Sequence, residues 1–113
     1  MTVEELITAL PLAVVSGQSR LGNEISGGYV SDLLSNVMGQ ARAGNIWVTM
    51  QGHQNIVAVA SLAGLTAVII AGGVVPEKDA LRKAETEEII ILTTSLSSFE
   101  VAGRLYQLGI TGE

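Results

Sequence analysis

Residues 46–73 read IWVTMQGHQNIVAVASLAGLTAVIIAGG, and how this stretch divides decides the fold. Ile46 to Met50 has the β-branched and aromatic content of a strand, and Gln51-Gly52-His53-Gln54 is polar enough for a tight connection. Asn55 to Ala63 is helix-length and apolar almost all round, and Gly64 is a natural helix stop. Thr66 to Ile70 is then a second strand, closed by Gly72 and Gly73. The competing division joins Ile56 to Val75, in which only Ser61 and Thr66 are polar, into one rod long enough to span a bilayer. Gly64 and the Val68-Ile69-Ile70 run oppose it. So does the lack of flanking aromatic residues and of any Lys/Arg asymmetry.

Working outward, the alternation continues in both directions. Downstream, Pro76 to Ala84 reads as a helix with proline in its first turn, Ile89 to Leu92 as a strand, and Ser98 to Leu108 as a helix. Ser97 and Glu100 form a Ser-x-x-Glu capping box, and Gly109 stops that helix. Upstream, Ser31 reads as the N-cap of a helix to Ala43, with Asp32 in its first turn. Leu33, Leu34, Val37, Met38 and Ala41 give that helix one apolar stripe. A short strand is expected near Tyr29 and another over Leu12 to Ser16. A capped acidic helix opens the chain from Thr2 to Leu10. Strands alternating with helices through short links imply βαβ units. The expected fold is a three-layer α/β domain, residues 1–113, with a mostly parallel five-stranded sheet and helices on both faces.

Composition narrows the chemistry. The 113 residues contain no cysteine, which excludes disulfides, thiolate metal sites and cysteine nucleophiles and fits a cytoplasmic protein. A net charge of −5 with six scattered basic residues opposes nucleic-acid binding. No Gly-x-x-x-x-Gly-Lys-Ser/Thr pattern and no Gly-x-Gly-x-x-Gly fingerprint is present. Ser95 and Ser97 have no adjacent base, and no cofactor or metal motif stands out. His53, the single histidine, has no acidic neighbour in sequence to orient it, so a small enzyme using His53 is the weakest of the functional readings.

In parallel sheets, ligands bind outside the carboxyl ends of the strands. Four segments are expected on that edge: Ser16–Ser19, Gln51-Gly52-His53-Gln54-Asn55, Ala71-Gly72-Gly73, and Thr93 to Ser98. They are rich in amides and hydroxyls and carry no carboxylate. Gln51, Gly52, His53, Gln54, Asn55, Gly72, Gly73, Thr94 and Ser95 are therefore the candidate ligand-binding residues, with helix-start N–H groups available for an anion. The same residues also have local uses, with Asn55 and Ser97 as helix caps and the glycines as tight turns.

The order of these segments resembles the DRTGG domain: a strand, Gln51-Gly52-His53-Gln54-Asn55 opening a helix, a strand running into Ala71-Gly72-Gly73, then a strand and a Ser/Thr-rich loop. The resemblance covers roughly residues 4 to 110. His53-Gln54 stands where the family has an Asp-Arg pair, and Ala71 replaces the threonine before Gly72-Gly73. The resemblance implies a regulatory rather than catalytic role. Such domains are fused to CBS domains in some inorganic pyrophosphatases, and to phosphotransacetylase and cobyrinate-synthase-like modules. The fold it implies is similar to the N-terminal domain of HPr kinase, although the phosphate loop of a kinase is missing here. Two roles follow as expectations. One is a homodimer sensing a small anionic metabolite or nucleotide. The other is a ligand-free accessory subunit for a metabolic or redox enzyme such as a hydrogenase, favoured by a mean hydropathy of +0.45. Leu33, Leu34, Val37 and Met38, or Phe99 and Tyr106, are the candidate dimer faces.

Overall fold

The computed structural model of the chain describes residues 1–112. Its elements run α1 (Val3–Ala9), β1 (Ala13–Ser16), β2 (Gly27–Val30), α2 (Leu34–Gln40), β3 (Asn45–Thr49), α3 (Asn55–Ala63), β4 (Ala67–Ile70), α4 (Lys78–Glu87), β5 (Ile90–Thr93) and α5 (Ser98–Gln107). The five strands form one sheet in the order β1-β5-β4-β3-β2. β2, β3, β4 and β5 are parallel to one another, and β1 is antiparallel to β5. The mostly parallel α/β sheet expected from the alternation is present.

The pleat sorts the apolar residues into two cores. Ile46, Val48, Ile69, Ile90 and Leu92 face one side, where Val3 and Leu6 of α1 and Val101 and Leu105 of α5 cover them. Trp47, Val68, Ile70 and Ile91 face the other, covered by Val37 of α2, Ile56, Val57 and Ala60 of α3 and Ala84 of α4. β3 and β4 are buried along their whole length, and Ile46–Val48 and Ala67–Ile70 are apolar on both faces, as a parallel strand roofed on each side requires. Fully burying one Val, Leu or Ile side chain contributes about 1.5–3 kcal/mol, which makes these central strands the dominant source of stability.

Helix boundaries follow local chemistry, with departures from expectation at four of the five helices, including an α4 that runs to Glu87 rather than Ala84. Thr2 and Glu5 form a complete capping box at α1. At α5 only half of the expected box forms, because Ser97 accepts from the Glu100 N–H while the Glu100 carboxylate pairs with Arg104. Ser31 does not cap α2: its hydroxyl accepts from the Leu33 N–H, Leu33 is the N-cap, and the helix ends at Gln40 rather than Ala43. Pro76 precedes α4 instead of entering it; Glu77 is the cap. Asn55 is the first residue of α3 and not its cap.

α3 stops at Gly64, where φ is +67°. Ile56 to Val75 is therefore a helix, a turn and a strand, and among the described residues no helix is long and apolar enough to cross a membrane.

Candidate functional site

The carboxyl ends of β2 to β5 share one rim, and hydrogen bonds lace its loops together. At the β2 side, Asp32 turns its carboxylate onto the next strand. One oxygen accepts from the Thr49 hydroxyl at 2.8 Å and from the Met50 N–H at 2.7 Å. The Gln51 side-chain amide donates back to the Asp32 carbonyl at 3.1 Å, and the buried Trp47 indole donates to the Ser31 carbonyl at 2.8 Å. Asp32 thus places a carboxylate on an edge whose four expected segments contain none. It was invisible as a rim residue because Ser31-Asp32 has the local signature of a helix start.

Next along the rim, the His53 side chain folds onto the start of α3, whose N-cap is Gln54. Its Nδ1 accepts from the Asn55 N–H at 3.1 Å, while the Ile56 N–H donates to the His53 carbonyl and the Val57 N–H to that of Gln54. The first-turn donors of α3 that were expected to hold an anion are thereby engaged locally. The same holds at the glycines. The Gly72 N–H donates to the Leu96 carbonyl at 2.7 Å and the Gly73 N–H to the Thr94 carbonyl at 2.9 Å. Gly72 and Gly73 have φ of +73° and +74°, the left-handed region that lets the chain turn both N–H groups toward the β5–α5 loop.

The segment Ser16–Ser19 does not belong to this rim. Because β1 runs against β5, its carboxyl end lies beside the start of β5: the Ser16 hydroxyl donates to the Ile89 carbonyl at 2.9 Å, and Arg20 pairs with Glu88. What β1 brings to the functional rim is its other end, the Leu10-Pro11-Leu12 approach. The connection from β1 to β2 carried the signal for this. It holds a single 3₁₀ turn, Gln18–Arg20, whereas a parallel crossover is usually made by a helix.

Topology marks one place on the rim as special. α2, α3 and α4 all cover the same face of the sheet, so the loops after β2, β3 and β4 leave in the same direction. The loop after β5 leaves to the opposite face, where α5 packs. The switch point, where adjacent parallel strands send their chains to opposite sides, is therefore between β4 and β5, and such points are preferred ligand sites. A groove of about 640 Å³ opens there. Its walls are Leu10 to Ala13 on the β1 side, Gly73 to Pro76 after β4, and Thr93 to Ser95 at the end of β5, with Leu81 of α4 at its side.

Of the expected site residues, Gly73, Thr94 and Ser95 line this groove. Gln51, Gly52, His53, Gln54, Asn55 and Gly72 do not. Gly52 instead buttresses the groove's wall from behind: a Cβ there would come within 3.2 Å of the Val75 carbonyl oxygen, and the Glu77 N–H donates to the Gly52 carbonyl at 2.9 Å. Gln54 lines a separate shallow hollow with Asp79, Arg82 and Lys83 of α4. Among the described residues no group of three or more His, Asp or Glu side chains is placed to hold a metal ion.

No curated protein matches the chain. Its fold is similar to a solved structure of the CBS and DRTGG domains of the regulatory region of Clostridium perfringens pyrophosphatase, complexed with the activator diadenosine tetraphosphate. The TM-score is 0.75 at 17% sequence identity, over 94% of this chain and 46% of that one. At that identity the likeness is one of fold, and this chain matches less than half of the other's length. The family model of the DRTGG domain matches residues 5–108, nearly the whole sequence, and the chain belongs to the DRTGG domain family.

Proposed function

We propose that this DRTGG domain is a cytoplasmic regulatory module: a homodimer that binds a small metabolite of nucleotide type at the switch-point groove and transmits its presence to a separate enzyme. The observation that carries the reading is the coincidence of a 640 Å³ groove with the β4–β5 switch point. The similar fold in a pyrophosphatase regulatory region complexed with a dinucleotide activator supports a role in control rather than turnover. The loops fit that role mechanically. The wall from Gly73 to Pro76 is hydrogen-bonded on one side to the β5–α5 loop and on the other, through Glu77, to Gly52. A ligand pressing on that wall bears on α3, α4 and α5 together.

Thermal unfolding with adenine nucleotides tests the reading. A ligand at one hundred times its Kd stabilises the folded state by about 2.7 kcal/mol, which gives a plain rise in Tm. No rise at millimolar concentration with any nucleotide rejects it.

A second reading rests on a different observation. Leu33, Met50, Val75 and Phe99 are all exposed on or beside the same rim, Val75 at 83% and Phe99 at 87%. Exposed apolar side chains gathered at one edge fit a ligand-free accessory subunit that docks on a metabolic or redox enzyme. Full function in a Val75→Asp, Phe99→Asp double variant would exclude this reading.

A further inference from the structure

We infer that the groove receives the uncharged, ring-bearing part of its ligand, a nucleoside, and leaves any phosphate outside. This rests on the ligand-binding reading above and narrows its chemistry.

Among the described residues no charged side chain lines the groove. An anion drawn into it would lose hydration without gaining a cation, inside a chain whose net charge is already −5. The donors that the glycine pair and the start of α3 would offer a phosphate are also taken. The Gly72 and Gly73 N–H groups are committed to the carbonyls of Leu96 and Thr94, and the first turn of α3 is closed by His53 and Gln54. Freeing them would break the clasp between the two loops that shape the site.

The polar side chains of the groove carry hydroxyls, and beside them the Val75 and Ser95 N–H groups are uncharged donors. The hydroxyls of Thr93 and Ser95 have no hydrogen-bond partner among the described residues, whereas that of Thr94 accepts from the Leu96 N–H at 3.2 Å. A hydroxyl both donates and accepts, so it suits the mixed edge of a heterocycle or a sugar hydroxyl rather than a charge. The opposing walls, Leu12 on one side and Val75 and Pro76 on the other, are apolar and suit the faces of a ring. The volume falls within the range of about 300–1,000 Å³ usual for small-molecule sites. A purely aliphatic ligand would strand the hydroxyls; a bare anion would strand itself.

The test is a titration of methyl-labelled protein, followed by NMR, with the four common nucleosides, with ATP and with inorganic phosphate. At least one nucleoside is expected to move the methyl signals of Leu12, Val74 and Val75, and inorganic phosphate to leave them in place. Ala13→Trp, on the exposed edge strand, and Val75→Trp, on the facing wall, are each expected to abolish the shifts, and Ser95→Ala to weaken binding about three- to tenfold. Two blocking variants guard against one failing to fold. Four silent nucleosides, or phosphate moving the same methyls, overturn the inference. If ATP raises Tm while every nucleoside leaves the groove methyls unmoved, the groove assignment falls and the regulatory reading survives.

Discussion

The Gly72 N–H donates to the Leu96 carbonyl at 2.7 Å, and this bond joins the loop leaving β4 to the loop leaving β5 across the switch point. It exists because Gly72 sits at φ +73°, and a Cβ added there would meet the terminal methyl of Met50 at 2.9 Å. Gly72→Ala is expected to destabilise the fold by about 1–2 kcal/mol, the usual cost of left-handed backbone for an L-residue. Met50 is half exposed and the atom met is the tip of a long unbranched side chain, so the clash itself relaxes. A urea double-mutant cycle with Met50→Ala separates the two contributions. If Met50→Ala restores all the lost stability, the backbone explanation is wrong.

Asp32 offers a second prediction. Its carboxylate oxygen holds both the Thr49 hydroxyl and the Met50 N–H, bonds to a charged acceptor that are partly exposed to water. Asp32→Ala is expected to cost about 1–2 kcal/mol, toward the low end for charged acceptors. Asp32→Asn keeps an acceptor oxygen and is expected to lose less. Hydrogen exchange at the Met50 amide reads the local effect, with faster exchange in the alanine variant than in the asparagine one. Equal exchange in both would mean that the carboxylate does not hold this loop.

These two residues also show how far the amino-acid order reveals the site. The parallel strands were readable because Ile46–Val48, Val68–Ile70 and Ile89–Leu92 are apolar on both faces, a pattern that burial under two helix layers demands. The strand–helix alternation makes these strands parallel, and that alone puts the loops holding Gly73, Thr94 and Ser95 on one rim. Two things were harder to read. The direction of β1 is set by pairing Ala13 with Thr93, eighty positions away in the chain, and its trace in the sequence is the helix-free connection to β2 rather than anything in Ala13-Val14-Val15-Ser16. That reversal removed Ser16–Ser19 from the rim and supplied Leu10 to Ala13 in their place. Asp32 was masked by a competing local use: Ser31-Asp32-Leu33-Leu34 offers a helix cap, whereas the carboxylate accepts from the Met50 N–H at the neighbouring strand's exit.

Glycine substitutions should divide sharply by position. At Gly17, φ is +82° and an added Cβ would lie 2.7 Å from the Ile90 Cα, a backbone atom that cannot step aside. Gly17→Ala is expected to cost about 3 kcal/mol or more, combining strain with overpacking. Gly39, in α2, has open space around it and ordinary backbone, so Gly39→Ala should add stability by about 0.5 kcal/mol through helix propensity. Denaturant midpoints of the two variants check the contrast; movement in the same direction would contradict it.

Of the two faces proposed for the homodimer, the α2 stripe keeps only part of its apolar surface at the outside. Val37 is fully buried and Leu34 packs against the core beneath α2, so that helix's stripe is used internally, with only Leu33 and Met38 left to solvent. On α5, Phe99 and Tyr106 are separated by two turns and therefore share a face, and both are exposed. Val101 and Leu105 hold the opposite side of the helix in the core, so the outer face can associate without disturbing the fold. The expected state is a dimer at micromolar concentration, in which each Phe99 is covered by the partner copy. Phe99→Glu should give a monomer whose urea midpoint at high dilution matches that of the parent chain, because the side chain is not part of the core. Sedimentation velocity decides the matter. A dimer that persists in the Phe99→Glu, Tyr106→Glu double variant would place the contact elsewhere, and a parent chain that sediments as a monomer at every concentration would end the proposal.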